Sequence, residues 1–349
     1  MRIPYSLLLA SGAAVIAWAA TPLAMALARR AGAIARPGPR HVHREPVPRF
    51  GGLAIAIAVL GVLWIAFALP GPARQLDPRY LFGFTLASIP ILLLGIVDDM
   101  HGVPPFAKIG VQVCSAFVLT LYGFGVPLLT NPLGGELVTG LAGPLLTVAW
   151  VVLVTNAINL IDGLDGLASG IVLIAAMTLW MAGRTHQDFY VMFLAAPLAG
   201  ATLGFLRWNF PNARVFMGDT GSQFLGLALA AASLLENRKG TATVTLLLPL
   251  VALGLPIADG MLAFARRLLH RKPVFRADSA HIHHRLLHLG LTPFAAVMVM
   301  WGLSLTLGVI AVLLARQPRT FGWGVLAVLA LVLVVAFELL ESVDRRGRD

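Results

Sequence analysis

Long stretches without Asp, Glu, Lys or Arg dominate this chain. Eleven of them occur, and most are near the roughly 20 residues that an α-helix needs to cross a bilayer. They lie at 3–28, 50–73, 80–97, 109–135, 137–161, 166–183, 189–206, 220–235, 240–258, 289–315 and 320–337. We expect the ninth to continue past Asp259 to about residue 265. The pattern therefore predicts an all-α polytopic membrane protein with about eleven transmembrane helices.

The first stretch is expected to be a retained helix and not a cleaved signal peptide. Its apolar run exceeds the roughly 7–15 residues of a signal peptide's hydrophobic region, and Arg29 and Arg30 follow it directly. The stretches between the predicted spans are too short to form a separate domain. We therefore expect one transmembrane domain over residues 1–349.

Composition supports the membrane class and excludes several others. The chain is 58% hydrophobic and 12% charged, with a mean hydropathy of +0.84, whereas about 25% of the residues in a soluble protein are charged. A lone cysteine, Cys114, excludes an internal disulfide and zinc sites built on paired cysteines. The net charge of +10 does not require nucleic acid as a partner, because basic loops set topology and contact anionic lipid headgroups.

The basic residues predict the orientation of the chain. With eleven crossings, 18 of the 26 Lys and Arg residues fall in one set of alternating loops and 8 in the other. The richer side is cytoplasmic by the positive-inside rule. We therefore expect the N-terminus outside and the C-terminus in the cytoplasm.

The acidic residues gather on the predicted cytoplasmic side. Three acidic residues lie in the outward loops before spans three, five and seven. Six aspartates lie on the cytoplasmic side, five of them at or next to a helix end: Asp98, Asp99, Asp162, Asp165, Asp219 and Asp278. Carboxylates near hydrocarbon are costly and are often kept for functional sites. Clustered, they would repel one another without a cation, and aspartate oxygens are ligands that Mg²⁺ prefers. Ordinary helix capping is the alternative for each aspartate taken singly.

A polar stripe ends the fifth predicted span. Asn156, Asn159, Asp162 and Asp165 are three residues apart, so they share one face of a helix. Glycines at 163, 166 and 170 allow a ligand or another backbone to approach closely. Core packing does not require such a stripe, which favours a binding site.

The start of the eighth span has the pattern of a phosphate-binding helix N-terminus. Asp219 is placed to cap this helix, and small residues fill its first turn. Free backbone N–H groups there favour phosphate, particularly if Asp219 also holds a metal ion. Arg207 and Arg214 precede it, and they suit either phosphate contacts or anchoring at the membrane surface.

A histidine cluster lies in the predicted cytoplasmic loop 266–288. His281, His283 and His284 follow Lys272 and Arg276. Such a cluster can indicate zinc, but no cysteine supports it, and a merely solvated loop is the alternative. Imidazoles with basic side chains also suit an anionic pyrophosphate or sugar.

These motifs together resemble the superfamily of polyprenyl-phosphate N-acetylhexosamine-1-phosphate transferases. The resemblance covers roughly residues 36–293 and is carried by four motifs in the family's order. They are Asp98-Asp99 with Lys108 and Gln112, the Asn156–Asp165 stripe, Gly218-Asp219-Thr220-Gly221, and His281-Ile282-His283-His284. The last is similar to the branch that starts teichoic acid and enterobacterial common antigen, whereas the peptidoglycan branch usually has three consecutive histidines.

The resemblance implies a Mg²⁺-dependent enzyme of the bacterial inner membrane, with Mn²⁺ as a substitute. It would transfer N-acetylhexosamine-1-phosphate, expected to be GlcNAc-1-phosphate, from a UDP-sugar to undecaprenyl or another polyprenyl phosphate and release UMP. The active site would lie on the cytoplasmic face, formed by loops at about 29–50, 98–108, 207–219 and 266–288. No nucleic acid is expected, and a homodimer is one possible assembly.

The resemblance also implies roles for individual residues. Asp98 would deprotonate or orient the lipid phosphate, and Asp99 and Lys108 would shape the charge around it. Asp219 would be the main metal ligand, with Asn159 or Asp162 assisting. The substrate-binding set would be Asn156, Asn159, Asp162, Asp165, Arg276, His281, His283 and His284. A covalent aspartyl-phosphate on Asp98 is left open.

Other functions remain as alternatives. One is transfer of phospho-N-acetylmuramoyl-pentapeptide, and another is a polytopic transporter, although a transporter would place acids near the bilayer midplane. An intramembrane aspartyl protease lacks its Tyr-Asp and Gly-x-Gly-Asp pairs here. Asp259 lies in an apolar stretch, and the sequence leaves open whether it is functional or pairs structurally.

Overall fold

A computed structural model describes residues 3–35, 46–126, 128–130, 136–235, 247–269 and 281–314. Helices account for most of these residues. They are α1 (Ile3–Ala31), α2 (Gly51–Ala68), α3 (Pro78–His101), α4 (Pro105–Leu121), α5 (Ala142–Ile161), α6 (Leu167–Thr185), α7 (Phe189–Asn209), α8 (Gly218–Leu235), α9 (Leu247–Ala252), α10 (Gly254–Leu269), α11 (Ile282–His288) and α12 (Pro293–Leu314). A short 3₁₀ helix covers Pro72–Gln75.

The helices confirm an all-α polytopic membrane protein. Within the described ranges, seven helices are long and apolar enough to cross a membrane, namely α1, α2, α3, α5, α6, α7 and α12. Helices α4, α8 and the pair α9 and α10 occupy three further predicted spans. The predicted eleventh span lies outside the described residues, so the total of eleven and the orientation stay predictions.

Two predicted helices are shorter than expected because two strands lie between the end of α4 and the start of α5. Strands β3 (Leu128–Thr130) and β4 (Glu136–Val138) pair antiparallel, with Leu129 opposite Leu137. The expected spans at 109–135 and 137–161 had included all of these residues except Glu136, which separates the two spans. Absence of charge does not distinguish a short strand from a helix extension, and Gly123, at a φ of 87°, ends the preceding turn.

The ninth predicted span is also divided. Helix α9 ends at Ala252 and α10 begins at Gly254, and α10 continues to Leu269. A second small antiparallel pair joins β1 (Ile34–Ala35) to β2 (Val47–Pro48), which leads into α2.

Helix α8 is the centre of the fold. Every residue from Thr220 to Leu235 is buried, and α8 packs against α2, α3, α5, α6 and α7. Its neighbours approach closely because glycines face it: a Cβ added to Gly52 would overlap the backbone of Gly221, and one on Gly95 would overlap the backbone of Thr220. The N-terminus of α8 therefore lies beside the C-terminal ends of α3 and α5.

Candidate active site

A lysine lies between two carboxylates at this junction. The Nζ atom of Lys108, from the first turn of α4, is 2.6 Å from Oδ2 of Asp98 and 2.5 Å from Oδ2 of Asp219. The three side chains are largely shielded, with 21%, 10% and 28% of their surfaces exposed. A shielded ammonium is a strong partner for carboxylates, so Lys108 offsets the repulsion between Asp98 and Asp219.

Asp98 and Asp99 are neighbours in sequence, but their carboxylates have different hydrogen-bond partners. The second oxygen of Asp98 accepts a hydrogen bond from the backbone N–H of Val103 (2.6 Å). Asp99 is buried and accepts three hydrogen bonds, from the N–H groups of Asp219 (2.9 Å) and Thr220 (3.1 Å) and from Oγ1 of Thr220 (2.7 Å). Asp99 therefore caps α8 from another helix, which places a negative charge at the positive end of the helix dipole.

The polar stripe reaches the same junction through α5. Asn159 donates from Nδ2 to Oγ of Ser222 in the first turns of α8 (2.8 Å). Asn156 donates to Oε1 of Gln112 on α4 (2.7 Å). The predicted residues of the stripe thus connect α5 to both α8 and α4, with Asn159 nearest to Asp219.

The other two members of the stripe follow the end of α5. Asp165 accepts a hydrogen bond from the N–H of Ala213 (2.9 Å), which ties the turn after α5 to the connection between α7 and α8. Burial, together with the negative charges of Asp219, Asp99 and Asp165, raises the pKa of Asp162 to about 8. The surroundings therefore disfavour the ionised form of Asp162 at neutral pH.

The histidines divide into buried and cavity-facing groups. His281 and His283 are buried, whereas His284 lines the cavity described below. Burial and the neighbouring rings of His284 and His281 lower the pKa of His283 to about 4, so this ring is neutral at pH 7. Arg276 and Asp278 lie outside the described residues.

A cavity of about 760 Å³ opens over the acidic junction. Polar residues that line it include Asp99, Asn159, Asp162, Asp165 and Asp219, and Arg49, just before α2, also lines it. Three aromatic residues line it as well, namely Phe210, Phe216 and Phe294, and the rings of Phe210 and Phe294 stack with centroids 5.6 Å apart. A cavity lined by both charged and aromatic residues suits a ligand that carries phosphates and a flat ring. Arg207 and Arg214 are not among the residues that line it.

The oxygen atoms at the cavity suit Mg²⁺ better than they suit a metal ion whose ligands all come from protein side chains. Among the described residues, no group of three or more His, Cys, Asp or Glu is arranged to hold a metal ion. Mg²⁺, however, is usually bound by one or two carboxylates together with water and substrate phosphates. Asp219, Asn159 and Asp162 border the cavity and offer such oxygens. The residues therefore fit a metal ion that arrives with a phosphorylated substrate.

Several residues that sequence analysis did not select hold the site together. Asn209, at the end of α7, is buried and accepts hydrogen bonds from the N–H of Gly166 (3.1 Å) and from Oγ of Ser169 (2.8 Å). It also donates to the carbonyl of Val215 (3.0 Å). Asn209 thus joins the turn after α5 to the chain leading into α8. A polar residue at the end of an apolar span was the signal available in the sequence.

Gln112 belongs to the first motif named from the sequence, but its buried partner Gln223 was missed. Gln112 donates to Oε1 of Gln223 (3.4 Å), and Gln223 donates to Oδ2 of Asp219 (3.4 Å). Gln223 follows Asp219 by one helical turn, a spacing that places both side chains on one face of α8.

Comparisons with known proteins assign the chain to a family. Residues 81–237 match the family described as glycosyl transferase family 4. A Bacillus subtilis protein, a probable undecaprenyl-phosphate N-acetylglucosaminyl 1-phosphate transferase, is 34% identical over 93% of this chain and 89% of its own length. A decaprenyl-phosphate N-acetylglucosaminephosphotransferase of Mycobacterium leprae is 36% identical over 86% of this chain and 80% of its own length.

More distant relatives belong to the peptidoglycan branch. A phospho-N-acetylmuramoyl-pentapeptide-transferase of Lactiplantibacillus plantarum is 32% identical over 82% of this chain and 90% of its own length. The identity and coverage of these relatives confirm the resemblance carried by the four motifs. The chain belongs to the polyprenyl-phosphate N-acetylhexosamine-1-phosphate transferase family.

Proposed function

We propose that this protein transfers GlcNAc-1-phosphate from UDP-GlcNAc to a polyprenyl phosphate and releases UMP, the first membrane step of a cell-envelope glycan. The observation that carries the proposal is the placement of Lys108 between Asp98 and Asp219, next to a cavity lined by aspartates and aromatic residues. The names of the relatives with 34% and 36% identity support GlcNAc as the sugar and a polyprenyl phosphate as the acceptor.

The reaction exchanges one phosphorus–oxygen bond for another. An oxygen of the lipid phosphate attacks the sugar-linked phosphorus of the donor, the bond from that phosphorus to the bridging oxygen breaks, and UMP leaves with the bridging oxygen. Catalysis of phosphoryl transfer is mostly positioning and charge neutralisation. Asp98, which contacts Lys108 and the N–H of Val103, would orient or deprotonate the lipid phosphate.

Lys108 and the donor-binding residues would manage the remaining charge. The ammonium of Lys108, held between Asp98 and Asp219, would contact phosphate oxygens of the substrates. The turn at 162–166, together with His284 and the aromatic residues that line the cavity, would hold the UDP-sugar. Arg276 remains a predicted contact to the pyrophosphate.

Mg²⁺, or Mn²⁺ in its place, is proposed as the cofactor. Asp219, Asn159 and Asp162 would hold it, and when bound it would neutralise the charge of the donor pyrophosphate. Asp162 is the residue whose ionisation such a cation would favour, because neighbouring negative charges raise its pKa.

The proposed location is the bacterial inner membrane, with the site facing the cytoplasm where nucleotide sugars occur. The excess of Lys and Arg in the loops on that side supports this orientation.

Purified protein can be tested with undecaprenyl phosphate, Mg²⁺ and a panel of donors. UDP-GlcNAc, UDP-GalNAc and UDP-N-acetylmuramoyl-pentapeptide are supplied separately, and UMP release and the lipid product are measured. We expect turnover with UDP-GlcNAc. Turnover with only the muramoyl-pentapeptide donor would assign the protein to the peptidoglycan reaction, and no UMP from any donor would refute the proposed transfer.

A further inference from the structure

Asp259 forms a buried pair with the histidine segment. Only 2% of Asp259, on α10, and 5% of His281 is exposed. Oδ2 of Asp259 is 2.9 Å from Nδ1 of His281, and Oδ1 accepts a hydrogen bond from the backbone N–H of Ile282 (2.9 Å). Both oxygens of one carboxylate are therefore used by two consecutive residues at the start of α11.

This arrangement determines the orientation of His281. A carboxylate only accepts hydrogen bonds, so Nδ1 of His281 carries the hydrogen. His281 itself does not line the cavity. Its ring is instead parallel to the ring of His283, with centroids 5.9 Å apart and an angle of 6° between the planes.

His283 connects His281 to the residues that line the cavity. Its ring packs directly on Gly163, where a Cβ would overlap the imidazole, and its centroid is 4.3 Å from that of His284. Gly163 and His284 both line the cavity. A continuous series of contacts thus leads from Asp259 through His281 and His283 to two parts of the cavity wall.

We propose that Asp259 is the positioning residue of the histidine segment: it anchors the start of α11, so that His283 supports the turn at Gly163 and His284 faces the UDP-sugar. Asp259 contacts neither substrate and acts through these residues. This inference rests on the proposed function for the identity of the donor, but the anchoring of α11 is independent of it.

The test compares Asp259→Ala and Asp259→Asn in the full-length protein. Alanine removes both contacts. Asparagine keeps an oxygen for the N–H of Ile282, and its NH₂ group can donate to Nδ1 of His281 in the other neutral tautomer. We expect Asp259→Ala to raise the KM for UDP-GlcNAc about tenfold or more, as loss of a buried anchor would. We expect its kcat, and both constants of Asp259→Asn, to stay within about threefold of the wild type.

Asp188 provides a matched control outside the site. It is also 2% exposed, and it accepts hydrogen bonds from the N–H groups of Tyr190 (3.0 Å) and Val191 (3.3 Å) at the start of α7. We expect Asp188→Ala to leave the KM for UDP-GlcNAc unchanged. An equal rise in KM in both alanine variants, or a fall in kcat alone in Asp259→Ala, would mean that Asp259 only stabilises the fold. An equal loss in Asp259→Ala and Asp259→Asn would mean that its charge takes part in the reaction.

Hydrogen exchange without substrate tests the anchoring separately. Asp259→Ala should speed the exchange of the amides at 282–285, while the segment 190–193 exchanges as in the wild type. Unchanged exchange at 282–285 would overturn the inference even in an active enzyme. If the wild type releases no UMP from any donor, the proposed function fails, and the exchange measurement still decides the anchoring.

Discussion

Lys108 is central to the geometry of the candidate site, because its ammonium contacts Asp98 and Asp219, residues that α3 and α8 supply. Removing either carboxylate leaves Lys108 close to the other, but the two carboxylates have different expected tasks. Asp98 also accepts from the N–H of Val103, whereas Asp219 lies in the first turn of α8 beside Asn159. Substitutions at Asp98 therefore test the role proposed at the lipid phosphate, and substitutions at Asp219 test the role proposed at the metal ion.

Asp98→Asn should lower the rate of transfer without weakening the binding of the donor. A positioned general base contributes about 10²–10⁴ in rate, and asparagine preserves the shape and one acceptor oxygen. Calorimetry should give a Kd for UDP-GlcNAc close to that of the wild type, while kcat falls by about this factor. Near-normal turnover at saturating substrate would contradict the role of Asp98, and Asp99 would be the next residue to test.

Asp219→Asn should weaken metal binding and lower the rate of transfer together. The substitution removes a negative charge from the proposed Mg²⁺ site, and loss of charge neutralisation at the transferring phosphorus costs about a hundredfold or more in rate. EDTA should abolish transfer by the wild type, and added Mg²⁺ or Mn²⁺ should restore it. Full activity in metal-free buffer would contradict a metal role for Asp219.

His283 should make the folded protein sensitive to acid. Its pKa is about 4 in the folded protein, against an ordinary value of 6.5, so the unfolded chain binds this proton more readily. His283 therefore lowers stability as the pH falls from about 6.5 to 4. His283→Phe keeps a ring against Gly163 and should show a smaller fall in melting temperature over this range. An identical pH dependence in both proteins would exclude this contribution.

Among the helices, α8 determines where the site residues meet. Its first turn is capped by Asp99 from α3, and its close contacts with α2 and α3 depend on Gly52 and Gly95. Because these helices touch at backbone distance, a single added methyl group must move one of them. The positions of Asp98 and Lys108 relative to Asp219 follow from this packing.

Gly95→Ala should therefore reduce stability by about 1–3 kcal/mol, the usual cost of overpacking a tight contact. Gly61→Ala is the control, because a Cβ at this glycine of α2 meets no atom within 4 Å. Thermal unfolding in detergent measures both variants. Equal melting temperatures for Gly95→Ala and Gly61→Ala would show that the contact between α3 and α8 can relax.

Across the whole molecule, the uneven distribution of charge matches the reaction proposed. The aspartates of the cavity come from the ends of α3, α5 and α8. Water-soluble UDP-sugar and membrane-bound polyprenyl phosphate can both reach a site at such helix ends. The opposite end of the bundle, which we predict to face outward, carries the hairpin of β3 and β4 and the buried cap Asp188.

Topology labelling tests the orientation of the molecule. With 18 of 26 basic residues expected in the cytoplasmic loops, a tag at residue 348 should be inaccessible from outside intact cells and a tag at residue 2 accessible. The reverse pattern would place the cavity on the side that lacks nucleotide sugars.

The sequence by itself determined the class of the protein, most of its helices and the motifs of its family, because these depend on local patterns. Runs without charge located the spans, and a three-residue spacing identified Asn156, Asn159, Asp162 and Asp165. It did not reveal the hairpin after α4 or the break between α9 and α10, since an apolar run is compatible with either structure.

Only the tertiary structure decided which of these residues touch. Lys108 and Asp219 are 111 positions apart, and Asp99 reaches Thr220 over 121 positions. The tertiary structure gave Asp99 a capping task, buried His281 against Asp259 and left His284 facing the cavity. Such contacts depend on how closely helices far apart in sequence can pack, and here Gly52 of α2 and Gly95 of α3, which face α8, set that distance.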